Sequence, residues 1–395
     1  MTTAFEAHDA TAAALPAGGA LLAAYRPGPS TAFFSGPEHT LLAQGVRRTV
    51  PDPAAATRLL REARTAASDN PIVVGAIPFA PGRPARLFIP EEVRRAAPVG
   101  EDPLLQLPMD PPRDLTWAQQ PVPAPQGYLD AVAEVVRLMA GDPELSKVVL
   151  ARTLELTAPG GADLPTMLHR LIRRDPRGYT FAVPAGGDAT LVGASPELLV
   201  SRRGGNVVSN PLAGSAARSA DVAEDMRRAA ELLESPKDLA EHAFVVDAVR
   251  RALEPYCDDL VVPERPTLIR TAAMWHLSTT VTGTLRDQDT SALDLALALH
   301  PTPAVCGTPT DRARDLIGTL EPFDRGLYTG VVGWGDAAGD GEWVVTLRCA
   351  EAEGDRLRLY AGAGVVAASR PEHELAETGA KFRTFLHAVG LEDTK

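Results

Sequence analysis

Apolar and polar positions along the chain follow two regimes. Up to residue 100, short apolar runs such as Pro71-Ile72-Val73-Val74-Gly75 alternate with Pro- and Ala-rich connections and predict short strands. After Gly127 the pattern becomes regular. Residues 128–140 and 164–174 repeat apolar side chains at helical spacing, and "SKVVLARTLELTA" from Ser146 reads as a strand. "YTFAVP" (179–184), "ATLVGA" (189–194) and "ELLVSRR" (197–203) predict three strands of a meander with tight turns. Residues 220–234 and 236–254 predict two helices joined at Ser235-Pro236, with serine as a cap and proline at the first helical position. Short strands and helices alternate to residue 365, and a last helix runs from about Pro371 to Val389. Strands come in runs rather than in strict βαβ order, which predicts an α+β fold. No internal repeat is visible.

Residues 101–126 interrupt both regimes with seven prolines, at 103, 108, 111, 112, 121, 123 and 125. That density predicts an irregular surface crossover, either a linker between domains or a long loop inside one.

Composition narrows the function classes. At 395 residues, one large domain or two ordinary ones fit. Apolar content of 45% and charged content of 23% suit a soluble globular protein. The net charge is −12 and no basic stripe appears, which argues against a nucleic-acid partner. An acidic protein that binds an anion needs local cations or a metal. Cys257, Cys306 and Cys349 form no CxxC pair, which predicts a reduced, cytoplasmic setting without structural zinc. The Ala-rich N-terminus has no basic n-region and is not read as a signal peptide. No apolar run reaches the roughly 18 residues of a membrane span.

Several residues could carry chemistry. Lys147 heads the apolar run of "SKVVLAR". It is either an edge lysine that blocks unwanted pairing or an amine stripped of water so that it can act as a base. Asp238 and Glu241 share one helical face; Glu374, Glu377 and Lys381 share another. These are either solvated helix charges or two sets of oxygens aimed at one hard cation such as magnesium. In "GASPE", Pro196 fixes a turn ahead of Glu197, which is either an ordinary exposed acid or a general acid with a raised pKa. Arg348 in "EWVVTLRCA" reads as a mid-strand residue on the face of Val344 and Thr346, away from Leu347 and Cys349. Buried there, it needs an anion, from a substrate carboxylate or an internal salt bridge. "YAGAG" (360–364) is no dinucleotide fingerprint but suits close approach of backbone amides to an anion. His276 and His300 stand alone, without metal-ligand spacing.

"SKVVLAR", "GASPELL", "NPLAGSA", "KDLAEH", "MWHLS", "LHPTPAVCGTP", "GLYTGVVGW", "VVTLRCA", "AGAGVVAAS" and "ELAETGAKF" occur in the order they take in the chorismate-utilising enzymes, which this chain resembles over roughly residues 125–390. "LHPTPAVCGTP" and "GVVGWGDAAGDGEWVVTLRCA" most resemble the isochorismate-forming branch that starts catecholate siderophore pathways. The resemblance implies two stacked, mainly antiparallel sheets flanked by helices, with the active site between them. It implies one chorismate-binding domain over 1–395, with 127–390 as catalytic core and 1–120 as a divergent part of the same fold.

Roles follow by the same resemblance. Lys147 resembles the base that activates water for attack on C2 of chorismate, and Glu197 the acid that protonates the departing C4 hydroxyl. His276 resembles a histidine near the ring. Glu241 and Glu377, with Asp238 and Glu374, resemble the ligands of a Mg2+ ion holding the ring carboxylate, helped by Gly214 and Lys381. Tyr328 and Arg348 match positions that bind the enolpyruvyl carboxylate. Ser215, Ala304, Leu347, Gly362 and Gly364 complete the implied substrate site. Ala213 stands where amine-adding relatives carry a nucleophilic lysine, so water is the expected nucleophile. Ala304 stands where salicylate-forming relatives tend to carry a hydroxyl, which favours stopping at isochorismate. The alternatives are a salicylate synthase and a non-catalytic ligand-binding member. Relatives are mostly monomeric, which is the expectation here.

Overall fold

A computed structural model describes residues 16–65, 70–107 and 115–391. Most of the Ala-rich N-terminus and the middle of the proline-rich stretch lie outside the described residues. Two large antiparallel sheets dominate. The first runs in the order Gly307–Thr308, Lys147–Thr157, Arg356–Val365, Cys349–Glu353, Ala189–Ser195, Tyr179–Gly186, Thr31–Ser35, Thr40–Gln44, Glu92–Ala96. The second runs Cys257–Val261, Val281–Leu285, Asn206–Asn210, Leu198–Arg203, Gly341–Val345, Val331–Asp336, Ile72–Ile77, Arg86–Ile89, Arg48–Val50. A third, small sheet of Leu212–Ala217, Met274–Ser278 and Thr267–Arg270 had no counterpart in the expected pair.

The sheets pack face to face. Phe34, Leu41, Phe181 and Leu191 of the first meet Val74, Val332, Trp334 and Val344 of the second. Helices cover the outer faces. Leu168, Leu171, Phe382 and Phe385 pack on Leu154, Leu156, Leu357 and Leu359 of the first sheet. Leu60, Leu293 and Leu295 join the core with Val73, Leu199 and Trp343 of the second. Each such side chain contributes about 1.5–3 kcal/mol. Among the described residues, no helix is long and apolar enough to cross a membrane.

Local signals placed the helices well. Asp163 accepts from the Thr166 amide at 3.2 Å and starts Leu164–Arg174. Ser235 accepts from the Asp238 amide at 3.3 Å and separates Val222–Glu234 from Pro236–Leu253.

Two expectations need correction. The proline-rich stretch is not wholly irregular: Ala118–Val122 is a strand on Lys147–Thr157, with Pro121 opposite Leu154. An edge strand can turn the missing proline N–H outward, so the ladder survives. The three-strand meander is also wrong. Ala189–Ser195 pairs with Tyr179–Gly186, but Leu198–Arg203 belongs to the other sheet. The chain crosses between sheets at Ser195-Pro196-Glu197, where Pro196 offers no amide to continue a ladder. A second crossing, Thr346–Arg348, joins Gly341–Val345 to Cys349–Glu353. The crossings lie side by side: the Val345 amide donates to the Glu197 carbonyl at 3.1 Å, and the Ala194 amide to the Arg348 carbonyl at 3.0 Å.

Candidate active site

The two crossings form part of the wall of a cleft. Glu197, Leu347 and Arg348 line it, with Gly214, Ser215, Asp238, Glu241, His276, Ala304, Tyr328, Gly362, Gly364, Glu377 and Lys381. Lys147 and Glu374 lie just behind that lining, 1% and 2% exposed.

Lys147 opens its strand with its side chain on the face of Val149, toward the cleft, because side chains alternate. The edge beside it is covered by Gly307–Thr308, so it blocks no pairing. Its Nζ lies 2.8 Å from Glu241 Oε1. The water-poor amine of the sequence reading is present, but it has a carboxylate partner which that reading had not assigned. Gly364 makes room for this pair. A Cβ there would fall 2.5 Å from Glu241 Oε1 and 2.8 Å from Lys147 Cε. At Gly362 a Cβ would fall 2.8 Å from the Tyr328 hydroxyl.

The four carboxylates sit on helices Pro236–Leu253 and Pro371–Ala388 and are not solvated helix charges. Side-chain exposure is 12% for Glu241, 27% for Glu377 and 3% for Glu374. Burial, then the like charge of Glu377, pushes the Glu374 carboxyl above the usual range. Burial also raises Asp238, against its hydrogen bond from Ser235. Burial alone would raise Glu241, but the Lys147 ammonium outweighs it and leaves the carboxyl below its ordinary value. Lys381 Nζ reaches Glu377 Oε1 at 2.6 Å and the Gly362 carbonyl at 2.8 Å.

These carboxylates fit a magnesium ion in one specific way. Among the described residues, no three metal-ligating side chains enclose an ion by themselves. Magnesium keeps several waters or substrate oxygens and takes only one or two protein carboxylates. Glu241 and Glu377, both lining the cleft, suit that role, and the buried Glu374 Oε1 has no hydrogen-bond partner among the described residues, with Lys237 Nζ 3.6 Å away.

Glu197 is 2% exposed. Burial raises its pKa to about 8, against a hydrogen bond from the Leu212 amide and the positive charges of Lys147 and Arg348. At neutral pH it therefore holds its proton. Ser195 braces the turn: its hydroxyl donates to the Val345 carbonyl at 2.7 Å and accepts from the Glu197 amide at 3.2 Å.

Arg348 corrects another expectation. It does not lie mid-strand with alternating neighbours but in the crossing, at φ 45°, so Leu347 and Arg348 both reach the cleft. A non-glycine residue seldom adopts such a φ, and it persists where the surroundings impose it. Among the described residues Arg348 has no ion-pair partner; its Nη2 lies 3.4 Å from His276 Nε2. Arginine only donates, so Nε2 accepts and the His276 proton sits on Nδ1, 2.7 Å from Ser215 Oγ. Burial, with Arg348 and Lys381, holds His276 neutral. Tyr328 stacks on Tyr360 at 5.0 Å and 12°. Burial raises the Tyr328 pKa, so its hydroxyl stays a donor. His300 is not among the cleft residues and packs edge-on against Phe79.

Sequence reasoning missed two residues around the cleft. His242 bonds the Ala213 carbonyl at 3.1 Å and Thr279 Oγ1 at 2.7 Å, which holds the strand carrying Gly214. Lys237 lines the cleft, 3.6 Å from Glu374. Neither has a periodic or motif signal beyond lying inside "KDLAEH".

A family model described as chorismate binding enzyme matches residues 101–390. The chain is 51% identical over 388 residues to isochorismate synthase DhbC of Bacillus subtilis (strain 168), covering 94% of this chain and 96% of that one. It is 43% identical over 369 residues to the vibriobactin-specific isochorismate synthase of Vibrio cholerae serotype O1, covering 91% of each. Its fold is similar to the crystal structure of DhbC from Bacillus anthracis, designated a 2,3-dihydroxybenzoate-specific isochorismate synthase. That likeness has TM-score 0.88 and 50% identity, over 95% of this chain and 100% of the other.

Proposed function

We propose that this chain, which belongs to the chorismate binding enzyme family, converts chorismate to isochorismate in the cleft between its sheets. One observation carries the reading: a buried, protonated acid and a buried lysine face one cleft whose remaining cations suit a dianionic ring. Lys147, acting in its neutral form, takes a proton from water as the oxygen adds at C2. The ring double bond shifts, and Glu197 gives its proton to the C4 hydroxyl as it leaves as water. The enzyme ends with lysine protonated and Glu197 ionised, and a return transfer resets both. Groups of this kind typically contribute about 10²–10⁴-fold each.

Arg348, without a carboxylate partner among the described residues, and Tyr328 hold the enolpyruvyl carboxylate. Ala213 in the lining offers no nucleophile, which leaves the attack to water. Glu241 and Glu377, with Asp238 and Glu374 around them, would hold Mg2+. The ion would neutralise and orient the ring carboxylate. The relatives named above are designated for vibriobactin and 2,3-dihydroxybenzoate, so the product feeds catecholate siderophore synthesis in a cytoplasmic pathway.

The test is chromatography of products from purified protein, chorismate and magnesium. Isochorismate alone is expected, and a chelator should abolish its formation until magnesium is restored. Pyruvate release with salicylate fluorescence would replace this reading by a salicylate synthase. No turnover at all would leave a ligand-binding member.

A further inference from the structure

Arg325 follows helix Thr310–Leu320 and is buried together with Glu321, each side chain 3% exposed. All five of its N–H groups are used. Nε and Nη2 donate to Glu321 at 2.8 and 2.5 Å, and Nη2 also to the Val149 carbonyl at 2.7 Å. Nη1 donates to the Val305 carbonyl at 2.8 Å and to Thr329 Oγ1 at 3.2 Å. Glu321 Oε1 in turn accepts from the Ala151 amide at 2.8 Å. Val149, Val305 and Thr329 all line the cleft, on three different chain segments.

Thr329 is held in the left-handed region at φ 57°, an outlier for a β-branched residue. Its hydroxyl donates to the Tyr328 carbonyl at 2.6 Å, and its amide to the Thr346 carbonyl at 2.9 Å, two residues before Arg348. Such strain persists only where surrounding contacts over-determine it.

We propose that Arg325, clamped by Glu321, is a positioning residue: it sets the spacing between the Lys147 strand, the Ala304–Val305 segment and the Tyr328–Thr329 turn. A lysine cannot replace it, because three donors on one nitrogen cannot reach a carboxylate, two carbonyls and a hydroxyl in a fixed fork. The proposal rests on the isochorismate reading.

Arg325→Lys keeps a positive charge opposite Glu321. Misplacement across the cleft by about 1 Å lowers kcat about 10²-fold. KM should change by less than about threefold, since the substrate-gripping groups remain. The falling pH limb near 8 should stay in place, since Glu197 is untouched. A merely structural role lowers Tm and the folded fraction but leaves kcat per folded site at the wild-type value, and that result overturns the proposal. Should Arg325→Lys not fold, Thr329→Ala decides. It removes one acceptor of the clamp and the β-branch that is most crowded at φ 57°. Its kcat should fall about tenfold at an unchanged or higher Tm, a loss smaller than that for full misplacement. Wild-type kcat in that variant overturns the proposal. A wild-type enzyme that makes no isochorismate overturns the functional reading and this role with it, whereas an active wild type with an unimpaired variant overturns this role alone.

Discussion

Glu197 acquires its chemistry from burial. As the proposed acid, Glu197 would act in its protonated form; its pKa is raised to about 8, so turnover should be lost as pH rises through that value. The same shift makes the folded state bind this proton more tightly than the unfolded chain. The stability it contributes is full below the ordinary carboxyl range and is lost as pH rises through about 8. A pH–rate profile of kcat checks this, and Glu197→Gln should lower kcat by about 10²–10⁴-fold. A profile flat to pH 10 would remove Glu197 as the acid. Lys147→Ala should still bind chorismate by calorimetry while kcat falls by about 10²–10⁴-fold; near-normal kcat would take the base elsewhere. It should also lower Tm, because Glu241 loses the cation 2.8 Å away.

At the scale of elements, the strand Arg356–Val365 works by what it lacks. Gly364 lies opposite Val149 in the ladder, and its missing side chain is the space in which Lys147 meets Glu241. Gly364→Ala should split that pair. The expected result is at least about tenfold lower kcat from displaced catalytic groups, with a stability loss of only about 1–3 kcal/mol from overpacking. Wild-type kcat together with wild-type Tm would show that the strand can move aside. Helix ends were legible because caps and proline act within one turn: Leu164–Arg174 coincides with the predicted range. The third meander strand was misassigned because alternation is the same in either sheet. The proline-rich strand was missed because its pairing is supplied by a distant strand.

At the scale of the molecule, the described residues before 100 are woven into both sheets. Three of their strands extend the first sheet and three the second. A truncation starting at residue 121 should therefore not fold, since it leaves the ladder edges of Tyr179–Gly186 and Val331–Asp336 unpaired. Circular dichroism with a loss of cooperative melting checks this. A soluble fragment with a sharp transition would make the N-terminal part dispensable. Later segments let a chain of net charge −12 hold a dianion: Lys237, Arg348 and Lys381 line one cleft from three separate segments, with Lys147 just behind them.

Residue order alone sufficed for the α+β class, most helices and many strands after Gly127, and the candidate residues, because periodicity, caps and motif chemistry are local. The motif residues were legible one by one, yet their shared cleft was not. Only folding decided that Lys147 pairs with Glu241, that Arg348 bends out of its strand, that Glu197 and Arg348 lie on neighbouring crossings, and that Arg325 ties three segments together. Those facts depend on contacts between segments far apart in the chain, and on a water-poor interior that exists only once the sheets close on each other.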